Sequence, residues 1–185
     1  VVAGASIVMA LQTIVSRNVP PLQMAVITVG SFQSGVANNV IPQNATLKLS
    51  VRALDRSVQE LLRTRIVEIV ELQAQSYGVT AQVEFLPGYP VLVNTAAETE
   101  LAREVAIALV GADNVVLQTE PLSGSEDFAY MLEEVPGSYL FVGNGDVANG
   151  GHGACMVHNP NYDFEDRNIP VGAAFWVQLT ERFLA

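Results

Sequence analysis

Between residues 45 and 53 the side chains alternate without a break. Ala45, Leu47, Leu49, Val51 and Ala53 are apolar, and Thr46, Lys48, Ser50 and Arg52 between them are polar. A period of two places these sets on opposite faces of a strand, so one face is buried and the other is wet. Residues 79–85 repeat the pattern, with Val79, Ala81, Val83 and Phe85 set against Thr80, Gln82 and Glu84. Between the two stretches, Val58, Leu61, Leu62, Ile66, Ile69 and Leu72 recur at helical spacing. Ser57 with Glu60 supplies a capping-box signature for that helix, and Gly78 ends it. Upstream, Ile7, Leu11 and Ile14 with Val8 and Val15 predict a helix over residues 1–17, stopped by Asn18, Pro20 and Pro21. Residues 24–31 read as a strand, and the loop 33–39 carries Gly35, Asn38 and Asn39.

The predicted order is helix, strand, strand, helix, strand. A sheet with one wet face takes its helices on the other, which gives an open-faced two-layer sandwich. Sandwiches of the split βαβ type open with a further strand before the first helix. No such strand precedes residue 1, the chain lacks an initiator Met, and its first helix begins without a capping residue. The expectation is therefore a chain cut within this first domain, upstream of Val1.

Leu86-Pro87-Gly88-Tyr89-Pro90 marks a linker. Beyond it, Thr95 with Glu98 caps a third helix whose inner face carries Leu101, Val105 and Leu109. Residues 115–118 and 139–142 are short apolar runs of the buried-strand kind, residues 125–132 a short helix, and residues 169–183 a final amphipathic helix. The predicted division is an α+β domain over 1–88 and part of a second, α/β unit over 89–185.

Nineteen acidic against nine basic residues give a net charge of −10. Nucleic acid and anionic membranes both need a basic surface, so neither is an expected partner. The apolar residues 1–15 are interrupted by Ser6, Gln12 and Thr13, are too short to span a bilayer, and lack the basic start of a signal peptide. A single cysteine, Cys155, excludes an internal disulfide and a Cys-rich zinc module, and fits a reducing, cytoplasmic compartment.

Three places can carry chemistry. His158 stands before Pro160, in a turn rich in carboxylates, where Asn159 or Asp163 can orient the second imidazole nitrogen of a metal ligand. A surface histidine is the plain alternative, because no partner ligand lies at turn or helix spacing. His152, in a glycine-rich loop, reads as surface. Ser123-Gly124-Ser125-Glu126-Asp127-Phe128 enters a helix through a small flexible step, which suits either an anion on free backbone N–H groups or ordinary capping by Ser123 or Ser125. Arg52, on the polar face of its strand, and Asn39, in the loop before it, can together hold an anionic substrate. A solvated arginine is the alternative.

Read together, five segments in one order are more specific than any one of them. They are Ala37-Asn38-Asn39-Val40-Ile41-Pro42, Ser50-Val51-Arg52, Gly124-Ser125-Glu126-Asp127-Phe128, Val135-Pro136-Gly137, and His158-Asn159-Pro160-Asn161-Tyr162-Asp163-Phe164. Over essentially its whole length the chain resembles the C-terminal portion of the hippurate hydrolase and N-acyl-amino-acid amidohydrolase family of dinuclear metallopeptidases. The resemblance implies a ferredoxin-like βαββαβ lid, here without its first strand, inserted in an α/β catalytic domain. It implies a homodimer paired through the lid's helix and edge strand. It also implies two divalent metal ions (zinc, manganese, nickel or cobalt) and hydrolysis of an N-acyl amino acid to a carboxylic acid and a free amino acid. His158 matches the family's C-terminal metal ligand. Asn39 and Arg52 match lid positions that reach the substrate's polar end, and Gly124 and Ser125 match a loop near the substrate.

The family's other ligands (a Cys, two His and a Glu), its glutamate general base and a lid histidine correspond to segments upstream of Val1, so no catalytic residue is assigned within these 185. Cys155 lies in the wrong segment to be the missing cysteine. Glu165 stands where relatives often have Asn, a departure with no consequence visible in the sequence. Two competing readings share the fold: an inactive fragment acting as a dimerisation module, and a related exopeptidase acting on dipeptides.

Overall fold

A computed structural model describes residues 1–145, 153 and 155–185. In chain order the elements are α1 (Val2–Asn18), β1 (Ala25–Gln33), β2 (Thr46–Ala53), α2 (Arg56–Ser76), α3 (Ala96–Val110), α4 (Phe128–Glu134) and α5 (Asn168–Leu184). One 3₁₀ turn lies at Ala112–Asn114. The chain forms two units, one of Val1–Val91 with Leu122–Gly124, the other of Leu92–Pro121 with Ser125–Ala185.

In the first unit β1 and β2 pair antiparallel, from Ala25 opposite Ala53 to Gln33 opposite Thr46. Gly30 forms a bulge between Val29 and Ser31, so the register slips by one residue there. Along β2, Leu47, Leu49, Val51 and Ala53 turn inward and Thr46, Lys48, Ser50 and Arg52 outward, as the alternation predicts. The inward face meets one layer of helices. Ile7, Leu11 and Ile14 of α1 and Val58, Leu62, Ile66 and Ala74 of α2 form one core with Ile27 and Ala53 of the sheet. Fully burying a side chain of the Leu or Ile kind contributes about 1.5–3 kcal/mol. Gly4 permits the close approach of α1, because a Cβ there would meet the Phe32 ring at 2.8 Å. Polar bonds tie the helices together: Gln73 donates to Ser6 Oγ at 2.7 Å and Arg65 Nε to Asn18 Oδ1 at 3.1 Å. α1 stops where Val19, the residue before Pro20, is forced into an extended conformation (φ −89°, ψ 133°).

Several details differ from the sequence reading. The N-cap of α2 is Asp55, which accepts from the backbone N–H of Ser57 (2.7 Å) and Val58 (3.2 Å), and Ser57 is already inside the helix. An aspartate caps as well as a serine, and here it stands at the residue where the chain leaves its extended conformation. Residues 79–85 form no strand in the sheet. Their alternation survives as packing, with Ala81, Val83 and Phe85 against the core and the Arg63 guanidinium 4.6 Å from the centre of the Phe85 ring. Ladder hydrogen bonds need a neighbouring strand, and among the described residues β1 pairs only with β2.

In the second unit α3 packs on α5, and the Arg182 guanidinium pairs with Glu104 across them. Thr95 caps α3 in position, but its hydroxyl donates to the Glu98 carboxylate and accepts from Gly137 N–H, so it does not bond to the helix amides. Residues 115–118 and 139–142 are not strands either. Segment 137–139 is instead held by side chains standing in for a neighbouring strand. Asn94 accepts from Tyr139 N–H at 2.8 Å and donates to Tyr139 C=O at 2.9 Å. The short helix predicted over residues 125–132 begins three residues later, at Phe128. Among the described residues no helix is long and apolar enough to cross a membrane.

Candidate functional site

His158 sits in a pair of successive turns, closed by Asn159 N–H to Met156 C=O (3.2 Å) and Tyr162 N–H to Asn159 C=O (2.9 Å). Its backbone is left-handed (φ 70°), alone in this among the described non-glycine residues, and its side chain is exposed. The Asn159 side-chain oxygen accepts from Asn161 N–H at 2.9 Å.

The segment is anchored from the other side by residues that sequence reasoning missed. Asn144 donates to Asp163 C=O at 2.7 Å and accepts from Glu165 N–H at 2.8 Å. Asn168 donates to Gly143 C=O at 3.0 Å. Glu165, only 9% exposed, takes Arg167 Nε at 2.9 Å on one oxygen and Nη2 at 2.6 Å on the other. That pairing raises the Arg167 guanidinium above its ordinary value, the hydrogen bond first and the charge attraction second. The departure that looked inconsequential in the sequence is thus the buried acid of the turn. Its signal was the Glu-x-Arg spacing of Glu165 and Arg167.

Arg52 projects from the polar face of β2, exposed as expected. Its Nε donates to Ser50 Oγ at 3.3 Å and its Nη1 to the Ser123 carbonyl. Asn39 lies exposed in the β1–β2 loop, whose neck is closed by Ser34 Oγ donating to Asn44 C=O at 2.9 Å. Gly124 and Ser125 are exposed. A Cβ on Gly124 would meet nothing within 4 Å, so close packing does not demand glycine there. Neither Ser123 nor Ser125 caps α4, because the N-cap position is Asp127. At Gly137 of the Val135-Pro136-Gly137 segment, a Cβ would lie 2.9 Å from Leu132 Cδ2, so a larger residue there would make the Leu132 side chain shift.

Asn39 and Arg52 belong to the first unit, Ser125 and His158 to the second. His152 lies outside the described residues. Among the described residues no three His, Cys, Asp or Glu side chains converge on one point. Among the described residues the His158 imidazole is thus an exposed donor outside any cluster of three such side chains.

Residues 5–182 match the family described as Peptidase family M20/M25/M40. The chain belongs to this family. It is 34% identical to the hippurate hydrolase of Campylobacter jejuni over 98% of its length and 46% of that protein's. It is equally identical to the N-acetyl-L-cysteine deacetylase of Bacillus subtilis, over all of its length and 42% of the relative's. The solved structure of a dinuclear metal-binding M20 peptidase from Bacillus subtilis superposes with a TM-score of 0.74 at 25% identity, covering 97% of this chain and 44% of that one. The chain thus spans less than half the length of each of these relatives. Its mixed α/β architecture is that of a partial M20 lid and catalytic domain, and the M20 relatives are amidohydrolases.

Proposed function

We propose that this M20 protein hydrolyses the amide bond of N-acyl amino acids of the hippurate kind, yielding a carboxylic acid and a free amino acid. The observation that carries this reading is the shared chemistry of the two relatives at 34% identity, since hippurate and N-acetylcysteine are both N-acyl amino acids. His158 serves as one ligand of a centre for two divalent ions, zinc, manganese, nickel or cobalt, and the remaining ligands come from outside the described residues. When bound, such ions polarise a carbonyl and activate water. This chain's own residues position. The left-handed turn at His158 sets where its backbone carries the imidazole, and Asn144, Glu165 and Arg167 hold the segment that follows. Arg52 offers its planar guanidinium to the substrate carboxylate, with Asn39 beside the same polar end and Gly124 and Ser125 lining the substrate. The 1–88 lid is the dimerisation surface of a homodimer.

Two assays test this. In the whole protein, His158→Ala is expected to lose one equivalent of bound metal and at least a hundredfold in hippurate hydrolysis, on the order seen when a metal site is disrupted. The 185 residues alone are expected to hold no stoichiometric zinc or manganese, and tight binding there would overturn the single-ligand assignment. A second reading follows from the word peptidase in the family and in the solved neighbour. Faster cleavage of a free dipeptide than of hippurate would favour that exopeptidase.

A further inference from the structure

The Ser125 loop is held on its C-terminal side by the Glu126 side chain. Glu126, half-buried, accepts from Phe128 N–H at 3.3 Å on one carboxylate oxygen and from the Tyr139 hydroxyl at 3.0 Å on the other. Glu126 is not the N-cap of α4, so helix capping alone does not account for this arrangement. Tyr139 is itself fixed twice over. Its backbone is gripped on both sides by Asn94, and its ring packs against Phe128 (centroids 5.7 Å apart) and edge-on to Phe141 (5.3 Å). A rigid phenol therefore meets a carboxylate that has only one residue between it and Gly124.

We propose that Tyr139 is a positioning residue for the substrate: by fixing Glu126, its hydroxyl sets where Ser125 presents itself to the bound N-acyl amino acid. This rests on the reading of Ser125 as a substrate-contacting residue. The electrostatics agree with the geometry. The Glu126 carboxyl is held below its ordinary value, first by the Phe128 N–H and then by the Tyr139 hydroxyl. The phenol is raised above its ordinary value, first by its hydrogen bond to Glu126. Glu126 thus stays ionised, and Tyr139 keeps the donor proton, across the neutral range in which hydrolysis is measured.

The test uses the whole protein with its metal and hippurate. Tyr139→Phe deletes the hydroxyl and keeps the ring packing, so KM is expected to rise about five- to tenfold with kcat within about twofold. Glu126→Ala should raise KM by a similar factor, and the double variant should be no worse than either single one, because all three lose the same link. Glu126→Gln keeps an acceptor oxygen and should recover part of the loss. A second readout is independent of turnover. In a spectroscopic titration of phenolate absorbance, the tyrosine lost in Tyr139→Phe should ionise at lower pH in Glu126→Ala than in the parent. An unmoved titration would mean the bond is absent and would end the proposal. A moved titration with KM unchanged would show a bond that only supports the fold, and would end it equally. A parent protein that hydrolyses no N-acyl amino acid would refute the underlying functional reading and take this proposal with it.

Discussion

A non-glycine residue in the left-handed region costs on the order of 1 kcal/mol, and it persists only where its surroundings over-determine it. At His158 the surroundings do so through the two turns on either side and the Asn144–Glu165–Arg167 lock behind them. Such a residue separates backbone cost from side-chain use. Glycine adopts the same φ without penalty, whereas alanine retains the penalty and removes the imidazole. His158→Gly is therefore expected to melt no lower than His158→Ala, although glycine elsewhere lowers stability through the unfolded chain. Differential scanning calorimetry of the two variants decides it. A clearly lower midpoint for the glycine variant would mean that the turn is not left-handed in solution.

At the scale of elements, caps show where sequence reading succeeds and where it stops. Thr95 was legible as the start of α3 because capping is a local signal. For α2 the same rule chose Ser57, yet Asp55 caps the helix, and a consequence for pH follows. The Asp55 carboxyl is held below its ordinary value of 3.8, first by the Ser57 hydroxyl and then by the N–H groups of Val58 and Ser57. A depressed carboxyl stabilises the fold fully above its unfolded value, and that stabilisation is lost as pH falls through the lower folded value. Asp55→Ala should therefore lower the melting point of α2 and its unit at neutral pH, with the gap to the parent closing below about pH 4. A gap that stays constant into acid would assign the loss to something other than the ionised cap. Strands were less legible than caps. The alternation in residues 45–53 and 79–85 reports which side chains face a core, and both stretches do so except at Val79, which is exposed. It carries no information on whether a neighbouring strand supplies the ladder, so only the first became a strand. In residues 137–139 that neighbour's role falls to Asn94, a distant asparagine with no sequence signature. The candidate residues His158, Arg52, Asn39, Gly124 and Ser125 were named one by one from short segments of the chain. What fixes the turns around them was not legible, because Asn144 and Tyr139 act through contacts 13 to 21 residues away.

Across the whole molecule the two units are held by different means. Leu11, Ile14 and Leu62 are fully enclosed in the first, within a continuous core contributed by α1, α2 and the sheet. In the second, the buried apolar residues among those described are Ala102, Val105 and Ala129, while Trp176, Phe141 and Phe183 are largely exposed. Stabilisation by burial scales with apolar area, so small side chains supply little of it. The second unit depends more on polar clamps: Asn94 on Tyr139, Thr95 on Gly137, Asn144 on Glu165, and the Arg182–Glu104 pair. Each such hydrogen bond contributes about 1 kcal/mol net. Unequal cores predict unequal unfolding of the 185-residue chain. Trp176, the only tryptophan, lies in α5 and reports the second unit by fluorescence, whereas circular dichroism at helical wavelengths reports both. In urea the fluorescence change is expected first, with a later step visible in the dichroism alone. Leu62→Ala should shift only the later step, by about 2–5 kcal/mol, because it opens a cavity in a core that the second unit does not share. Asn94→Ala should shift only the earlier one, because it leaves the backbone N–H and C=O of Tyr139 unpaired. One coincident transition, moved by both substitutions, would show that the units fold as a single cooperative body and that the uneven burial does not govern stability.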